Sequence, residues 1–219
     1  MQAPARGGFV LCFWEMRPLT NNKLAVKNII AADACIDLVA GYDDKTIGFA
    51  GMSKTDFHFE LHLPARYIGV RLIPGAFYQL TGLPASAAMD TFLPVEEVFT
   101  DFDKTRFFEA HFEHAGEYFR QYLAEKTSGI KPDEYTTLFH HLTDDPPATT
   151  APLYRFLPFS RRQGQRLFMK RYVVTPKTAL SIQRFQKSLE VLTSTQASPA
   201  DSLDSPTDSA HPHLDNDVQ

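Results

Sequence analysis

Short apolar stretches rich in β-branched and aromatic residues alternate with turn-forming residues over positions 9–74. This pattern is typical of an antiparallel β unit, and the Gly, Asn, Asp and Ser residues between the stretches favour tight connections. Within 57–62 the alternation places three large apolar side chains on one strand face: Phe57, Phe59 and Leu61. We predict a sandwich or small barrel whose strands occupy 9–16, 24–30, 34–40, 46–51, 56–62 and 66–73.

After Pro74-Gly75 the apolar spacing becomes helical. Two short helices are predicted at 76–81 and 84–89, because Pro84 suits the first turn of the second. A longer helix is predicted over 103–125, with an aromatic stripe formed by Phe107, Phe108, Phe112, Ala115, Tyr118, Phe119, Tyr122 and Leu123. We expect this stripe to be buried in the core, and the alternative is a dimer interface.

The composition divides the chain into four parts. Residues 1–143 form the β-rich regulatory or sensor domain with its helices, and 144–150 (DDPPATT) read as a linker because adjacent prolines disfavour helix. Residues 151–192 are predicted to form a small all-α helix-turn-helix module. Residues 193–219 are rich in Ser, Pro and Asp, so we expect a disordered acidic tail. The predicted fold class is α+β: an antiparallel β sandwich or barrel-like domain with helices, then the helical module.

The net charge of −4 conceals a segregation of charge along the chain. Residues 151–192 carry nine Lys and Arg against one acidic residue, whereas residues 1–150 carry 13 against 20. Residues 193–219 contain five Asp and no Lys or Arg. A short basic segment in an acidic protein is either a solvated helix face or a surface that attracts a polyanion.

The chemistry-bearing motifs of common enzymes are missing from this sequence. There is no nucleophile elbow, phosphate-cradling glycine loop, H-E-x-x-H or C-x-x-C pattern, so we expect neither catalysis nor a cofactor. No apolar run reaches the roughly 18 to 20 residues of a membrane span, and the start lacks the apolar stretch of a secretory signal. We therefore expect a cytoplasmic protein without a membrane partner.

One strand face carries residue types that zinc or iron accept, namely His58, Glu60 and His62. Residues two apart on a strand are too widely spaced for all three to reach one ion easily, so a solvated face is favoured and no metal is expected.

The basic segment has helical organisation. Ser160 followed by Gln163 fits a capping box, which predicts a helix that begins at Arg161 and ends near Tyr172. Thr175-Pro176 fits the start of a second helix, predicted over 176–192. Buried positions are predicted at Leu167, Phe168 and Tyr172 on the first helix and at Leu180, Phe185, Leu189 and Leu192 on the second. The exposed positions of the first helix would then be Arg161, Arg162, Gln165, Arg166 and Lys170.

This arrangement suits the reading of DNA in the major groove. Arg can bond guanine and Gln can bond adenine at base edges, while further cations neutralise phosphates. We expect Arg161, Arg162 and Gln165, in a helix aimed by Ser160, to contact bases. The remaining cations are expected to contact phosphate or brace the module: Arg166, Lys170, Lys177 and Arg184.

The segments 159–168, 172–177 and 184–192 resemble the helix-turn-helix of the AraC/XylS family of bacterial transcription regulators. Upstream, the segments 33–38 (DACIDL) and 67–75 (YIGVRLIPG) resemble the β-rich amino-terminal domain of one AraC-like subfamily, whose usual forms are D-G-x-x-D-L and G-x-R-F-x-P-G. Gly164 replaces a core leucine of the family pattern, and Pro158 and Val174 replace glycines. The family has a second helix-turn-helix after the first, so the resemblance implies a regulator truncated after the first unit.

The resemblance implies a sequence-specific DNA-binding regulator whose partners are a promoter, a small-molecule effector and a second copy of the chain. A degenerate regulator is the nearest variant of this interpretation. The main alternative is a stand-alone regulatory module that binds a ligand or protein without operator binding. A third and weaker alternative is a metal-dependent cupin-like enzyme at His58, Glu60 and His62.

Overall fold

A computed structural model describes residues 8–18, 24–30, 35–51, 57–144, 146–157 and 160–196. In these ranges, six antiparallel strands come first, and helices follow with one short strand among them, so the predicted α+β class is confirmed. Within them, no helix has the length and apolar character needed to cross a membrane.

The strands form a five-stranded sheet and a two-stranded sheet. Their bounds are β1 Val10–Met16, β2 Leu24–Ile30, β3 Ile36–Gly41, β4 Thr46–Ala50, β5 Phe57–Leu63, β6 Tyr67–Leu72 and β7 Phe92–Pro94. Six strands lie where the apolar pattern predicts them, and β7 is an addition. The larger sheet has the order β1-β6-β3-β4-β7, and the smaller one pairs β2 with β5.

One face of the larger sheet is the floor of the hydrophobic core. Leu38 pairs with Val70 across β3 and β6, and both side chains are fully buried. Phe49 of β4 pairs with Leu38 and is equally buried, stacking edge-on against Phe77. Alternation therefore sends Asp37 and Arg71, which pair with each other, to the opposite face.

The helices pack against this floor and then against one another. The first predicted helix is found at its predicted position, and the second is a 3₁₀ helix over Ala85–Ala88. The α-helices are α1 Ala76–Thr81, α2 Val95–Val98, α3 Lys104–Glu109, α4 Phe112–Thr127, α5 Glu134–Asp144, α6 Ala151–Phe156, α7 Arg161–Tyr172 and α8 Pro176–Gln196.

The single helix predicted over 103–125 is wrong, because the structure divides it into α3 and α4. Ala110 and His111 adopt extended backbone angles between them. The Tyr42 hydroxyl lies within hydrogen-bonding distance of the Phe107 and Ala110 carbonyls, at 3.0 and 2.8 Å, at the carboxyl end of α3. A residue far away in the sequence thus satisfies carbonyls that a continuous helix would use.

The predicted burial of the aromatic stripe is confirmed. Phe107 and Phe119 are fully buried and Phe112 nearly so. Phe107 lies 4.8 Å from Phe119 between ring centroids, and Tyr42 meets Phe112 edge to face. The stripe is therefore part of the core.

The same core continues into α7 and α8. Phe168, Tyr172 and Leu180 are buried in the cluster that contains the sheet residues. The inward position predicted for Phe185 is wrong, because half of its surface is exposed (50%). Among the described side chains of α8, Leu180 is buried as predicted, and Pro176, Ala179 and Gln183 are buried as well. The side chains of Leu189 and Leu192, also predicted to be buried, lie outside the described part of the structure.

The predictions for the segments on either side of the helical module, the linker 144–150 and the tail 193–219, compare differently with the structure. Residues 146–150, in the predicted linker, contain no helix or strand. Helix α8 continues to Gln196, so residues 193–196 of the predicted tail are helical. Residues 197–219, for which disorder was predicted, lie outside the described part of the chain.

Candidate nucleic-acid interface

Helices α6 and α7 are separated by the four residues 157–160, a connection typical of a helix-turn-helix in which α7 is the second helix. Their contact is close at Gly164, which is buried in α7. A Cβ atom added there would lie 3.5 Å from Leu157 Cδ1 and 3.7 Å from Tyr154 Cδ1. The glycine that departs from the family pattern therefore faces α6, a helix that the sequence patterns did not predict.

Side-chain caps fix the starts of α7 and α8. The Ser160 hydroxyl accepts a hydrogen bond from the Gln163 backbone N–H at 3.4 Å. The Thr175 hydroxyl accepts from the Thr178 N–H at 3.1 Å, immediately before Pro176. Both predicted caps are confirmed, and they define the direction in which α7 presents its first turn.

Helix α7 has an exposed side and a buried side, divided as the helical spacing predicts. Phe168 and Tyr172 are buried and Leu167 is half-buried. Five of the exposed residues form a surface that we term the basic face: Arg161, Arg162, Gln165, Arg166 and Lys170.

The members of the basic face differ in how firmly they are held. The Arg161 guanidinium lies 5.3 Å from the centroid of the Tyr154 ring. Lys170 donates a hydrogen bond from Nζ to the Tyr78 hydroxyl at 3.0 Å, and this bond lowers the pKa of Tyr78. Arg162, Gln165 and Arg166 make no side-chain hydrogen bond or ion pair with the residues that the structure describes.

Two further candidate residues lie on α8. Lys177 is exposed in its first turn. Arg184 is also exposed, and its guanidinium donates to the Pro147 carbonyl in the predicted linker. This contact fits the bracing role expected for Arg184.

Many described cations outside residues 151–192 are neutralised by carboxylates. Six of them form ion pairs: Arg17 with Glu15 and Glu113, Arg66 with Asp43, Arg71 with Asp37, Lys104 with Glu96, Arg120 with Glu117, and Lys126 with Asp101. By contrast, residues 151–189 contain no Asp or Glu. The basic face is therefore a concentrated positive surface without neighbouring carboxylates in its own segment.

The buried side of α7 is fixed to α5 and α1 by Arg171. Its guanidinium forms an ion pair with Asp133 and lies between the rings of Tyr78 and Tyr135, 4.7 and 4.6 Å from their centroids. Asp133 also accepts from the Thr136 N–H at 3.0 Å, at the start of α5. No sequence pattern indicated this contact, although Arg171 adjoins the buried Tyr172.

Two tyrosine hydroxyls complete the attachment of α7. Tyr172 donates a hydrogen bond to the Tyr135 carbonyl, and Tyr135 donates to the Gly164 carbonyl at 3.4 Å. Burial raises the pKa of Tyr135 to about 12, so its hydroxyl keeps its proton at neutral pH. The orientation of the basic face is thus set by contacts on the opposite side of the same helix.

The turn between α7 and α8 has its left-handed residue one position before the glycine of the AraC/XylS pattern. Val173 has a left-handed backbone with φ of 62°, whereas the resemblance aligns the usual glycine with Val174. Val174 is buried. A β-branched residue at positive φ is strained, so Val173 is where a glycine would relieve the turn.

The two amino-terminal motifs meet on the face of the sheet opposite the core. Arg71 donates two hydrogen bonds to Asp37, each 3.0 Å long, and the Trp14 indole N–H donates to the same carboxylate at 3.4 Å. The indole lies against Gly69, where a Cβ atom would be only 2.3 Å from the ring. The motif residues therefore support one another across β1, β3 and β6.

The side chains of β5 lie outside the described part of the structure. The backbone register places His58 opposite Ile29 and Glu60 opposite Lys27. The metal-site hypothesis at His58, Glu60 and His62 therefore stays a hypothesis.

Residues 6–94 match a domain of unknown function, DUF6597. The match includes the seven strands of the described residues, ends where β7 ends, and contains both amino-terminal motifs. No curated protein and no solved structure matches the chain. The amino-terminal half of the described fold is thus similar to a family whose function is unknown, and the helical segment that carries the basic face lies outside the match.

Proposed function

We propose that the chain is a cytoplasmic DNA-binding transcription regulator of the AraC type, in which α7 enters the major groove of a promoter. The observation that carries the proposal is the basic face, where Arg162, Gln165 and Arg166 are exposed on a capped helix and have no competing polar partner among the described residues. Such side chains are available both to base edges and to phosphates.

The roles of individual residues follow from how each is held. Arg162 and Gln165 are the strongest candidates for base contacts because nothing described restrains their polar ends, and Arg161 joins them from the first turn, which Ser160 aims. Arg166 and Lys177 suit phosphate contacts. Lys170 and Arg184, bonded to Tyr78 and Pro147, suit a bracing role beside the phosphate backbone.

The amino-terminal domain would supply sensing and dimerisation. A single helix-turn-helix makes fewer contacts than a pair, so specific binding would require two copies of the chain with their α7 helices about one helical turn of DNA apart. The two motifs that resemble an AraC-like sensor domain both lie in the segment 6–94 that matches DUF6597. A small-molecule effector acting through that domain belongs to this proposal.

A second candidate is a stand-alone regulatory module that binds a ligand or protein and not an operator. The observation that favours it is the firm attachment of α7 to the rest of the protein through Arg171, Tyr172 and Lys170. An attached helix can enter a groove only if its neighbours leave room for the duplex.

Fluorescence anisotropy with a random-sequence duplex tests the proposal at several salt concentrations. We expect binding with log affinity falling against log salt at about −0.9 per phosphate contacted. Arg166→Ala should weaken binding and make the slope shallower by about one contact. Arg106→Ala, which removes an exposed arginine from α3, is the matched control and should change neither. Equal effects of the two variants, or no binding at low salt, would favour the second candidate.

A further inference from the structure

We infer that the acidic segment 197–219 of this same chain docks on the basic face of α7 and competes with DNA for it; this regulation rests on the proposed function. The basic face has an outer surface that no described residue covers, so it has room for an occupant. The chain supplies one of complementary charge.

Charge complementarity is the first argument. Residues 197–219 contain Asp201, Asp204, Asp208, Asp215 and Asp217 and no Lys or Arg. Six cations elsewhere are already held in ion pairs, and Arg171 is paired with Asp133. The basic face, where Arg162 and Arg166 have no such partner among the described residues, therefore offers these carboxylates a cluster of positive charge.

The length of the segment is the second argument. Helix α8 has 21 residues, about 32 Å at 1.5 Å per residue, and α7 has 12, about 18 Å. The 23 residues after Gln196 can extend to about 76 Å at 3.3 Å per residue, which exceeds both helices laid end to end. Asp215 and Asp217, about 63 and 69 Å along the extended segment, can therefore reach the whole basic face from the end of α8.

Covalent attachment favours docking of the segment, whereas the weakness of each ion pair keeps the contact reversible. Tethering keeps the carboxylates at a high effective concentration near α7. Exposed ion pairs are individually weak and are screened beyond about 8 Å at physiological salt. Duplex DNA carries a denser negative charge, so it can displace the segment, and the segment would act mainly against weak, nonspecific DNA binding.

The test compares the full chain with a full-length variant in which all five aspartates of the segment are changed to asparagine. A second full-length variant, S202A/S205A/S209A, alters the same segment without changing its charge. Nitrogen-15 NMR spectra at low salt report docking without DNA, and anisotropy with a random duplex reports competition. Each measurement is repeated at about 300 mM salt, where surface pairs are screened.

We expect the asparagine variant to shift the backbone amides of Arg161 to Lys170 at low salt, with the shifts lost at high salt. Its affinity for the duplex should rise about threefold to tenfold at low salt. The serine variant should do neither. Unchanged α7 amides would overturn docking even if DNA affinity rose, because removing net charge alone favours DNA binding. Shifted amides without any DNA binding would support docking and contradict the proposed function.

Discussion

Replacing Gly164 measures how closely α7 and α6 pack. A Cβ atom at this position would lie 3.5 Å from Leu157 and 3.7 and 3.9 Å from Tyr154, which are ordinary van der Waals distances. Alanine therefore fits and should gain about 0.8 to 1.0 kcal/mol of helix propensity. Leucine adds three more carbon atoms towards the same two side chains, and overpacking of this kind costs about 1 to 3 kcal/mol. We expect Gly164→Ala to stabilise the protein and Gly164→Leu to destabilise it.

Urea denaturation followed by far-ultraviolet circular dichroism gives the free energy of unfolding of each variant. Gly116→Ala in α4 is the matched control, because its Cβ would also meet two side chains, Ile68 at 3.4 Å and Arg120 at 3.8 Å. For a chain of this size, 1 kcal/mol corresponds to about 2 to 4 °C in Tm. A Gly164→Leu variant more stable than the wild type would show that the space beside α7 is empty and would refute the close contact with α6.

Four further substitutions test the turn after α7, the core and the attachment of α7. Val173→Gly should raise the free energy of unfolding by about 1 kcal/mol by relieving the left-handed strain, whereas Val174→Gly should lower it by about 1.5 to 3 kcal/mol; equal effects in urea denaturation would contradict the turn assignment. Phe119→Ala should cost about 3 to 5 kcal/mol without changing the mass measured by light scattering. Dissociation of a dimer at unchanged stability would instead restore the interface interpretation. Arg171→Ala should lower the free energy of unfolding by about 1.5 to 3 kcal/mol because Asp133 loses its charged partner. A smaller loss would show that the hydroxyl contacts of Tyr135 and Tyr172 suffice to attach α7.

Local sequence signals were sufficient for most of the strands and for α7. The strands between residues 10 and 72 follow a period of two bounded by turn residues, and each bound differs from its prediction by at most two residues. The bounds of α7 come from a capping serine and a stripe ending at Tyr172, both of which are local features. These predictions are correct because the tertiary contacts favour the same local structure as the sequence pattern.

Non-local contacts explain the error in the region of α3 and α4. The aromatic spacing is continuous through Ala110, so the pattern indicates one helix. Tyr42 ends α3 from a distance of 65 residues along the chain. The strand β7 has only three residues, too few for a recognisable alternating pattern, and it is stabilised by its pairing with β4.

The candidate site shows the same division between local and non-local information. The exposed side of α7 was predictable, since it follows from helical period alone. Its attachment through Arg171 was not, because Asp133 and Tyr78 belong to separate elements. Helix α5 was missed although its apolar residues Tyr135, Leu138, Phe139 and Leu142 have helical spacing, so that signal was present in the sequence.

The most direct test of the central claim selects duplexes from a randomised library with the full chain. The Kd for random DNA is then measured and divided by the Kd for the selected DNA. We predict a ratio well above one that falls roughly 5- to 150-fold with Arg162→Ala, the equivalent of about 1 to 3 kcal/mol of base discrimination. Lys170→Ala should weaken both Kd values about equally and leave the ratio unchanged. Failure to enrich any sequence, with binding no tighter than that of an acidic control protein of similar size, would contradict the account.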